Sequence, residues 1–296
     1  MNVDKKMEYE KHKIPFELKL AEVNHFNKRE WLEMLNIKDG DSVLEIGCGT
    51  GAFSLRIKEF YPNCKVLGID IDEKKIEFAK NMAKALKKDV EFKVANLREL
   101  PIKDNQYNVV FSHSVIEKLP VGVFLDEQFR VLKGGGKFCA ITVEKGKGKR
   151  VDFPAVNDRE EVLWEKLAKA HKQEDDDYNL HLLDVPKTML AIKSEGFIKP
   201  RVFFKNIMWY NPDDSRFPSR FAKGLIRAKY NSDLEILKYY QQLNKGLTGA
   251  EYNELKVLLL KKYEERILKY NTGESCWDLD SVFVRAVYAE KPYKKE

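Results

Sequence analysis

The chain's 296 residues are 43% hydrophobic and 34% charged, with a formal net charge of +6. They suffice for one α/β domain with additions or for two small domains, and no apolar run approaches the roughly twenty residues of a membrane span. Lysines interspersed with acids read as a solvated face, so a nucleic-acid partner is not expected, and Cys48, Cys64, Cys139 and Cys276 are too scattered to suggest metal ligands or disulfides.

The N-terminal stretch from Met1 to Lys6 has no apolar signal core, so a cytoplasmic location is expected. Residues 1–38 place Phe16, Leu18, Leu20, Val23, Phe26, Trp31, Leu32, Leu35 and Ile37 closer to a helical period than to alternation, and predict an N-terminal helical cap. Asn36 to Asp41 then turns the chain into a domain expected over 39–296. Strands are predicted near 42–46, 65–70, 91–94, 107–112 and 137–143, alternating with helices near 52–60, 73–87, 97–100 and 121–132. Such alternation implies a parallel sheet covered by helices, with the C-terminal ends of the strands along one edge.

Two insertions interrupt this frame, at 145–180 and 211–276. The first opens on the basic loop Lys145 to Arg150, continues as a helix from Asp158 to Lys172, and ends in the acidic run Glu174 to Asp177. A helix from Leu182 to Ser194, a strand near 201–210 and a last strand near 281–289 complete the frame. Within the second insertion, Thr248 to Glu251 is a capping box that starts a helix running from Tyr252 to Tyr270, closed by Gly273. No internal repeat or low-complexity tract is present.

The most informative stretch runs from Ser42 to Gly51, an apolar strand that ends in Glu45-Ile46 and enters three alternating glycines, Gly47, Gly49 and Gly51. Closely spaced glycines between a strand and a helix let backbone N–H groups approach a ligand. Gly47, Gly49 and Ala52, with Asp70 about twenty residues on, fit a dinucleotide fingerprint. Glu45 and the third glycine fit the S-adenosylmethionine loop, acid-x-G-x-G-x-G, better, because an acid there attracts the α-ammonium of a methionine moiety.

VLEIGCGTG closely resembles the first motif of Rossmann-like (class I) S-adenosylmethionine-dependent methyltransferases, and of the small-molecule, UbiE-like group in particular. Val66 to Asp72, Val94 to Leu97, Asn108 to Leu119 and Arg130 to Phe138 resemble that family's next four motifs in order, while Glu195-Gly196-Phe197 resembles the exit of its fifth crossover helix. The resemblance implies an α/β, doubly wound, seven-stranded and mostly parallel sheet whose last strand is antiparallel, capped by the N-terminal helices and the insertions. It also implies S-adenosylmethionine as cofactor, bound by Glu45, Gly47, Cys48, Gly49, Gly51, Asp70, Ile71, Asn96, Leu97 and Ser112. In that scheme Glu45 offsets the amino group, Asp70 holds the ribose hydroxyls, Ile71 packs on the adenine, and Asn96 and Leu97 meet its edge. Asn96 stands where aspartate is commoner, Lys118 where histidine is, and Lys133 where proline is.

Several residues carry plainer readings beside the functional ones. Asp70 also fits a helix N-cap, preceding Glu73 by three, and His113 reads either as a general base or as a lining residue. His12 and His25 read as surface or cap residues. His171 and His181 flank the acidic run, but a solvated loop is preferred there, and no metal is expected. The expectation is methyl transfer to a small-molecule acceptor, with no membrane partner. An RNA or protein methyltransferase and a non-catalytic binding protein are the alternatives; the Asn/Asp-Pro-Pro-aromatic motif of base methylation is absent, since Asn211-Pro212-Asp213-Asp214 does not match it.

Overall fold

A computed structural model describes residues 3–144, 147–171, 184–243 and 246–293. The acidic run Glu174 to Asp177, His181, Lys145, Gly146 and the start of the helix expected from Leu182 lie outside them. The elements in order are α1 (Val3–Glu22), α2 (Lys28–Leu35), β1 (Ser42–Ile46), α3 (Ala52–Phe60), β2 (Lys65–Asp70), α4 (Glu73–Ala85), β3 (Glu91–Val94), β4 (Tyr107–His113), α5 (Val121–Val131) and β5 (Leu132–Val143). There follow β6 (Arg150–Val151), α6 (Asp158–His171), α7 (Val185–Ser194), β7 (Ile198–Tyr210), α8 (Ser219–Gln242), α9 (Gly249–Thr272) and β8 (Leu279–Glu290).

The sheet runs β3-β2-β1-β4-β5-β8, with β6 and β7 also pairing with β8. β1 is parallel to β2 and β4, β2 to β3 and β4 to β5, whereas β8 is antiparallel to β5. This is the expected doubly wound, mostly parallel sheet, but with eight strands rather than seven. The extra strand, β6, is only two residues long, too short to show a hydrophobic period. The short helix expected at 97–100 is a turn instead: Asn96 Oδ1 accepts from the Arg98 N–H, the Asn96 carbonyl accepts from the Glu99 N–H, and Pro101 follows at once.

The chain divides into two units. The first comprises Met1–Lys147, Asn179–Ile207 and Phe283–Glu296. Its central strands are apolar on both faces, as parallel strands covered on both sides must be, and Leu44, Ile46, Val110, Phe138 and Ala140 are buried in one cluster with Phe124, Ile192 and Phe197. The chain winds from β1 outward through β2 to β3, then returns to place β4 on the other side of β1. That reversal leaves a crevice beyond the C-terminal ends of β1 and β4, where Ile46 lies level with Ile69 and Ser112.

The second unit comprises Gly148–Tyr178 and Met208–Val282. Its longest helices are α8, which lies in the second insertion and is not among the predicted helices, and α9, which starts at the predicted Thr248 capping box and stops at left-handed Gly273. α8 buries Lys229 and Asp233 among its apolar positions. The Lys229 ammonium lies 3.2 Å from Asp233 Oδ1, and the Tyr263 hydroxyl donates to Asp233 Oδ2 at 2.6 Å. Arg266, fully buried on α9, pairs with Asp278 at 2.7 Å and Asp213 at 2.8 Å, and Tyr210 donates to Asp278 at 2.5 Å. Aromatic residues of the second insertion and its approaches are divided between core and surface: Trp209 and Tyr210 are buried, whereas Tyr239 and Trp277 are exposed. Of the basic loop, Lys147 pairs with Glu144 within the first unit, and Arg150 with Asp152 within the second.

Candidate functional site

The crevice opens into a cavity of about 680 Å³ in the first unit. Glu45, Gly47, Cys48, Gly49, Asp70, Ile71, Asn96, Leu97 and His113 all line it. Gly51 and Ser112 of the predicted set do not. A Cβ on Gly51 would lie 2.6 Å from the Phe92 ring and 2.8 Å from Ala79 Cβ, so this glycine serves the packing of α3 on the sheet. Ser112 is fully buried on β4, and its hydroxyl has no hydrogen-bond partner among the described residues.

The glycine loop owes its course to steric demands on both sides. Gly47 has φ +69°, and a Cβ there would come within 2.5 Å of Val115 Cγ2. Behind it, α3 begins at Ala52 with left-handed Gly51 as its cap, and in its first turn the Ser54 N–H is met by the Glu45 carboxyl. Asp70, at the end of β2, ties the loop down: Oδ2 accepts from the Gly49 N–H at 2.8 Å and Oδ1 from the Asp72 N–H at 3.0 Å. Asp72, not Asp70, caps α4, accepting from the Lys74 and Lys75 N–H groups. Next to Asp70, the Ile71 side chain stands 70% exposed on the cavity wall, an unusual place for an aliphatic group unless a flat apolar ligand covers it.

Glu45 is the least ordinary group in the cavity. It is 3% exposed, and the Ser54 hydroxyl donates to Oε2. Burial pushes its carboxyl up to about 8, with hydrogen bonds from the Ser54 hydroxyl and N–H and then the Lys19 charge opposing the rise. At neutral pH the group is therefore held protonated for want of a cation, and a ligand ammonium would supply one.

At the far side, His113 ends β4 beneath α1. Its side chain is 8% exposed, Nε2 lies 3.4 Å from Glu22 Oε1, and the Lys19 ammonium lies 3.4 Å from both ring nitrogens. The Ser114 hydroxyl lies 3.2 Å from Nδ1, and Ser114 itself holds a left-handed φ of +58°. The ring packs near Trp31 and Phe53, with centroids 5.7 and 6.2 Å away. Burial and then Lys19 lower the pKa of His113, Glu22 opposing them, so the imidazole is neutral at pH 7 and able to accept a proton. Burial alone would raise Glu22, but Lys19 and His113 together bring it down to about 2.

Lys19 and Pro15 line the cavity from α1, and Lys75, Arg98, Lys118 and Ser114 do so from elsewhere. None was expected as a site residue, because no local motif announces a contact such as Lys19 to His113, separated by 94 positions. His12 is buried beside Phe78 and His25 is exposed near Phe60; neither lines the cavity. Among the described residues no group of three or more His, Cys, Asp or Glu is placed to hold a metal ion, and no helix is long and apolar enough to cross a membrane.

A family model described as a methyltransferase domain matches residues 37–192, more than half the chain. The chain belongs to that methyltransferase family. The match ends within α7, so it takes in the glycine loop, the strands that carry Asp70 and His113, and the turn that carries Asn96. Over 252 residues, 85% of its length, the methyltransferase is 34% identical to phosphoethanolamine N-methyltransferase 1 of Zea mays, of which it covers 43%. It is 36% identical over 110 residues to phosphoethanolamine N-methyltransferase 3 of Arabidopsis thaliana, covering 37% of this chain and 22% of that one. It is also 29% identical over 129 residues to demethylmenaquinone methyltransferase of Symbiobacterium thermophilum, covering 42% and 51%. The chain thus spans about half, or less, of the curated relatives it matches. Among solved structures it shares its fold with phosphoethanolamine N-methyltransferase 2 of Haemonchus contortus in complex with phosphomonomethylethanolamine and S-adenosylhomocysteine. That likeness has a TM-score of 0.52 at 17% identity, and covers 90% of this chain and 52% of that one.

Proposed function

We propose that the chain is an enzyme that binds S-adenosylmethionine in the 680 Å³ cavity and transfers its methyl group to a small-molecule acceptor, releasing S-adenosylhomocysteine. The observation that carries this reading is Glu45, a carboxyl on the cavity wall that burial raises to about 8 in spite of its hydrogen bonds from Ser54, and whose ionised form the α-ammonium of the cofactor would favour. Gly47, Cys48 and Gly49 would border the methionine portion, Asp70 the ribose hydroxyls, Ile71 the adenine face, and Asn96 and Leu97 the adenine edge. Gly51 and Ser112 support this site from behind. The bound sulfonium supplies an electrophilic methyl carbon. The chain's part is to hold the acceptor in line, to exclude water, and, for an acceptor that must lose a proton, to take that proton at His113.

The names of the relatives support a small acceptor: phosphoethanolamine and demethylmenaquinone are both small molecules. Residues 1–38 act as a cap in this reading, consistent with Pro15 and Lys19 lining the cavity, and 39–296 form the catalytic domain with its two insertions. Four free cysteines are consistent with a cytoplasmic enzyme. Calorimetry with S-adenosylhomocysteine is expected to show one site. Asp70→Ala is expected to weaken it about tenfold or more, since a carboxylate that accepts ligand hydroxyls contributes roughly 1.5–3 kcal/mol. Unchanged affinity would remove the ribose role. Labelled-methyl screening is expected to mark a metabolite extract and to leave total RNA and cell protein unmarked; the reverse pattern overturns the small-molecule reading.

A further inference from the structure

We propose that Glu22 is a positioning residue for His113: from the end of α1 it holds the imidazole as the Nε2–H tautomer and leaves Nδ1 to accept the proton of the methyl acceptor. The inference rests on the reading of the cavity as a methyl-transfer site and adds a residue that no motif of the chain supplies.

The two oxygens of Glu22 are in different situations. Oε2 is committed to the Lys19 ammonium at 2.5 Å. Oε1 is buried, accepts no well-aligned hydrogen bond, and lies 3.4 Å from His113 Nε2. Leaving a buried carboxylate oxygen without a donor costs about 1–3 kcal/mol, and a small rotation of the imidazole brings Nε2–H onto it. The other nitrogen, Nδ1, lies 3.2 Å from the Ser114 hydroxyl and 3.4 Å from the Lys19 ammonium, both of them donors to a lone pair, and Ser114 and Lys19 line the cavity. A proton placed on Nδ1 instead would leave Nε2, a lone pair, facing a carboxylate.

Glu22 is also fixed in place. Its carbonyl accepts from Trp31 Nε1 at 3.2 Å and from Asn27 Nδ2 at 2.9 Å, pinning the last turn of α1 against a fully buried tryptophan. The charged groups facing the ring are Lys19 and Glu22, both on α1; α2 and α3 present the uncharged rings of Trp31 and Phe53, and the neighbouring Ser114 is neutral. Glu22, with its pKa brought down to about 2, remains an anion throughout the working range. It thus favours the imidazolium formed after proton transfer, while burial and Lys19 keep the resting ring neutral.

In the step, the electron pair of the acceptor atom forms the new bond to the methyl carbon. The pair of the breaking carbon–sulfur bond stays on sulfur, and the acceptor's proton passes to Nδ1 and later to water.

The test uses the full chain labelled with ¹⁵N-histidine, with His113 assigned by loss of its signals in His113→Asn. Long-range ¹H–¹⁵N spectra are expected to show the Nε2–H tautomer in the parent protein. In Glu22→Gln the His113 midpoint is expected to fall by about half a pH unit or more, because the imidazolium loses its anion, and the tautomer is expected to become mixed. Glu22→Asp keeps the charge on a shorter arm. It is expected to give an intermediate midpoint and serves as the test should the glutamine variant not fold. Calorimetry with S-adenosylhomocysteine is expected to stay within about twofold in both variants, since Glu22 does not line the cavity. A parent His113 in the Nδ1–H form, or a midpoint and tautomer that ignore the change at Glu22, overturns the proposal. Absence of S-adenosylhomocysteine binding by the parent chain overturns the cofactor reading instead, and the two failures are told apart by these separate readouts.

Discussion

Replacing Glu45 by glutamine separates a carboxyl waiting for a cation from one that merely fills space. With its folded pKa near 8 against an ordinary 4.5, Glu45 is about 90% protonated at pH 7. A ligand ammonium that returns it to the ordinary range would expel about 0.9 proton on binding at pH 7, and only about a quarter of one at pH 8.5. Calorimetric titration with S-adenosylhomocysteine in buffers of different ionisation enthalpy measures that number directly. The same group tilts the stability curve. A carboxyl whose pKa is raised on folding contributes stability that is complete below the unfolded value of 4.5 and is lost as pH rises towards 8. Each unit of that window is worth about 1.4 kcal/mol, so Glu45→Gln is expected to gain on the order of 3 kcal/mol over the parent between pH 5 and pH 8, whatever constant offset the amide introduces. Its affinity for S-adenosylhomocysteine is expected to fall at the same time. Proton release that is identical in parent and variant would refute the reasoning, as would a stability difference that does not change with pH.

Gly51→Ala is expected to destabilise the fold by about 2–4 kcal/mol in denaturant titration, combining a Cβ forced to 2.6 Å from Phe92 with a left-handed backbone; a loss below about 0.5 kcal/mol would contradict the packing role. Arg266→Ala, which leaves Asp213 and Asp278 as buried anions, is expected to lower stability by about 3–5 kcal/mol, with hydrogen exchange in α8 and α9 rising first. Lys19→Met removes the cation that lowers both Glu45 and His113, so both are expected to titrate higher, and proton release on S-adenosylhomocysteine binding at pH 8.5 is expected to exceed that of the parent. A lower midpoint for His113 in that variant would contradict the placement of Lys19 against the ring.

The parts of the molecule that the sequence discloses are those in which one physical demand acts on neighbouring residues. β1, α3 and β2 begin and end where the periods and glycines place them, because a parallel strand covered on both faces is mostly apolar and the turn after it must admit backbone close to a ligand; β3, at the sheet edge with only Phe92 buried, keeps its predicted bounds without an apolar run. Where two demands compete, the period blurs. The turn after Asn96 carries helix-forming residues but closes on an Asx hydrogen bond. The glycine triplet shows the same limit inside a motif: its spacing is uniform, yet Gly47 yields to Val115 and borders the cavity, while Gly51 yields to Phe92 on the other side of the loop. The electrostatics of the site lie further still from any local signal. Lys19 is 26 residues before Glu45 and 94 before His113, and only the docking of α1 brings its charge to bear on both. It follows that α1 does more than cover the cavity: displacing it would remove the Lys19 charge that opposes the rise at Glu45 and both charges that act on His113, so ligand charge, proton uptake and the seating of one helix are linked in a single equilibrium.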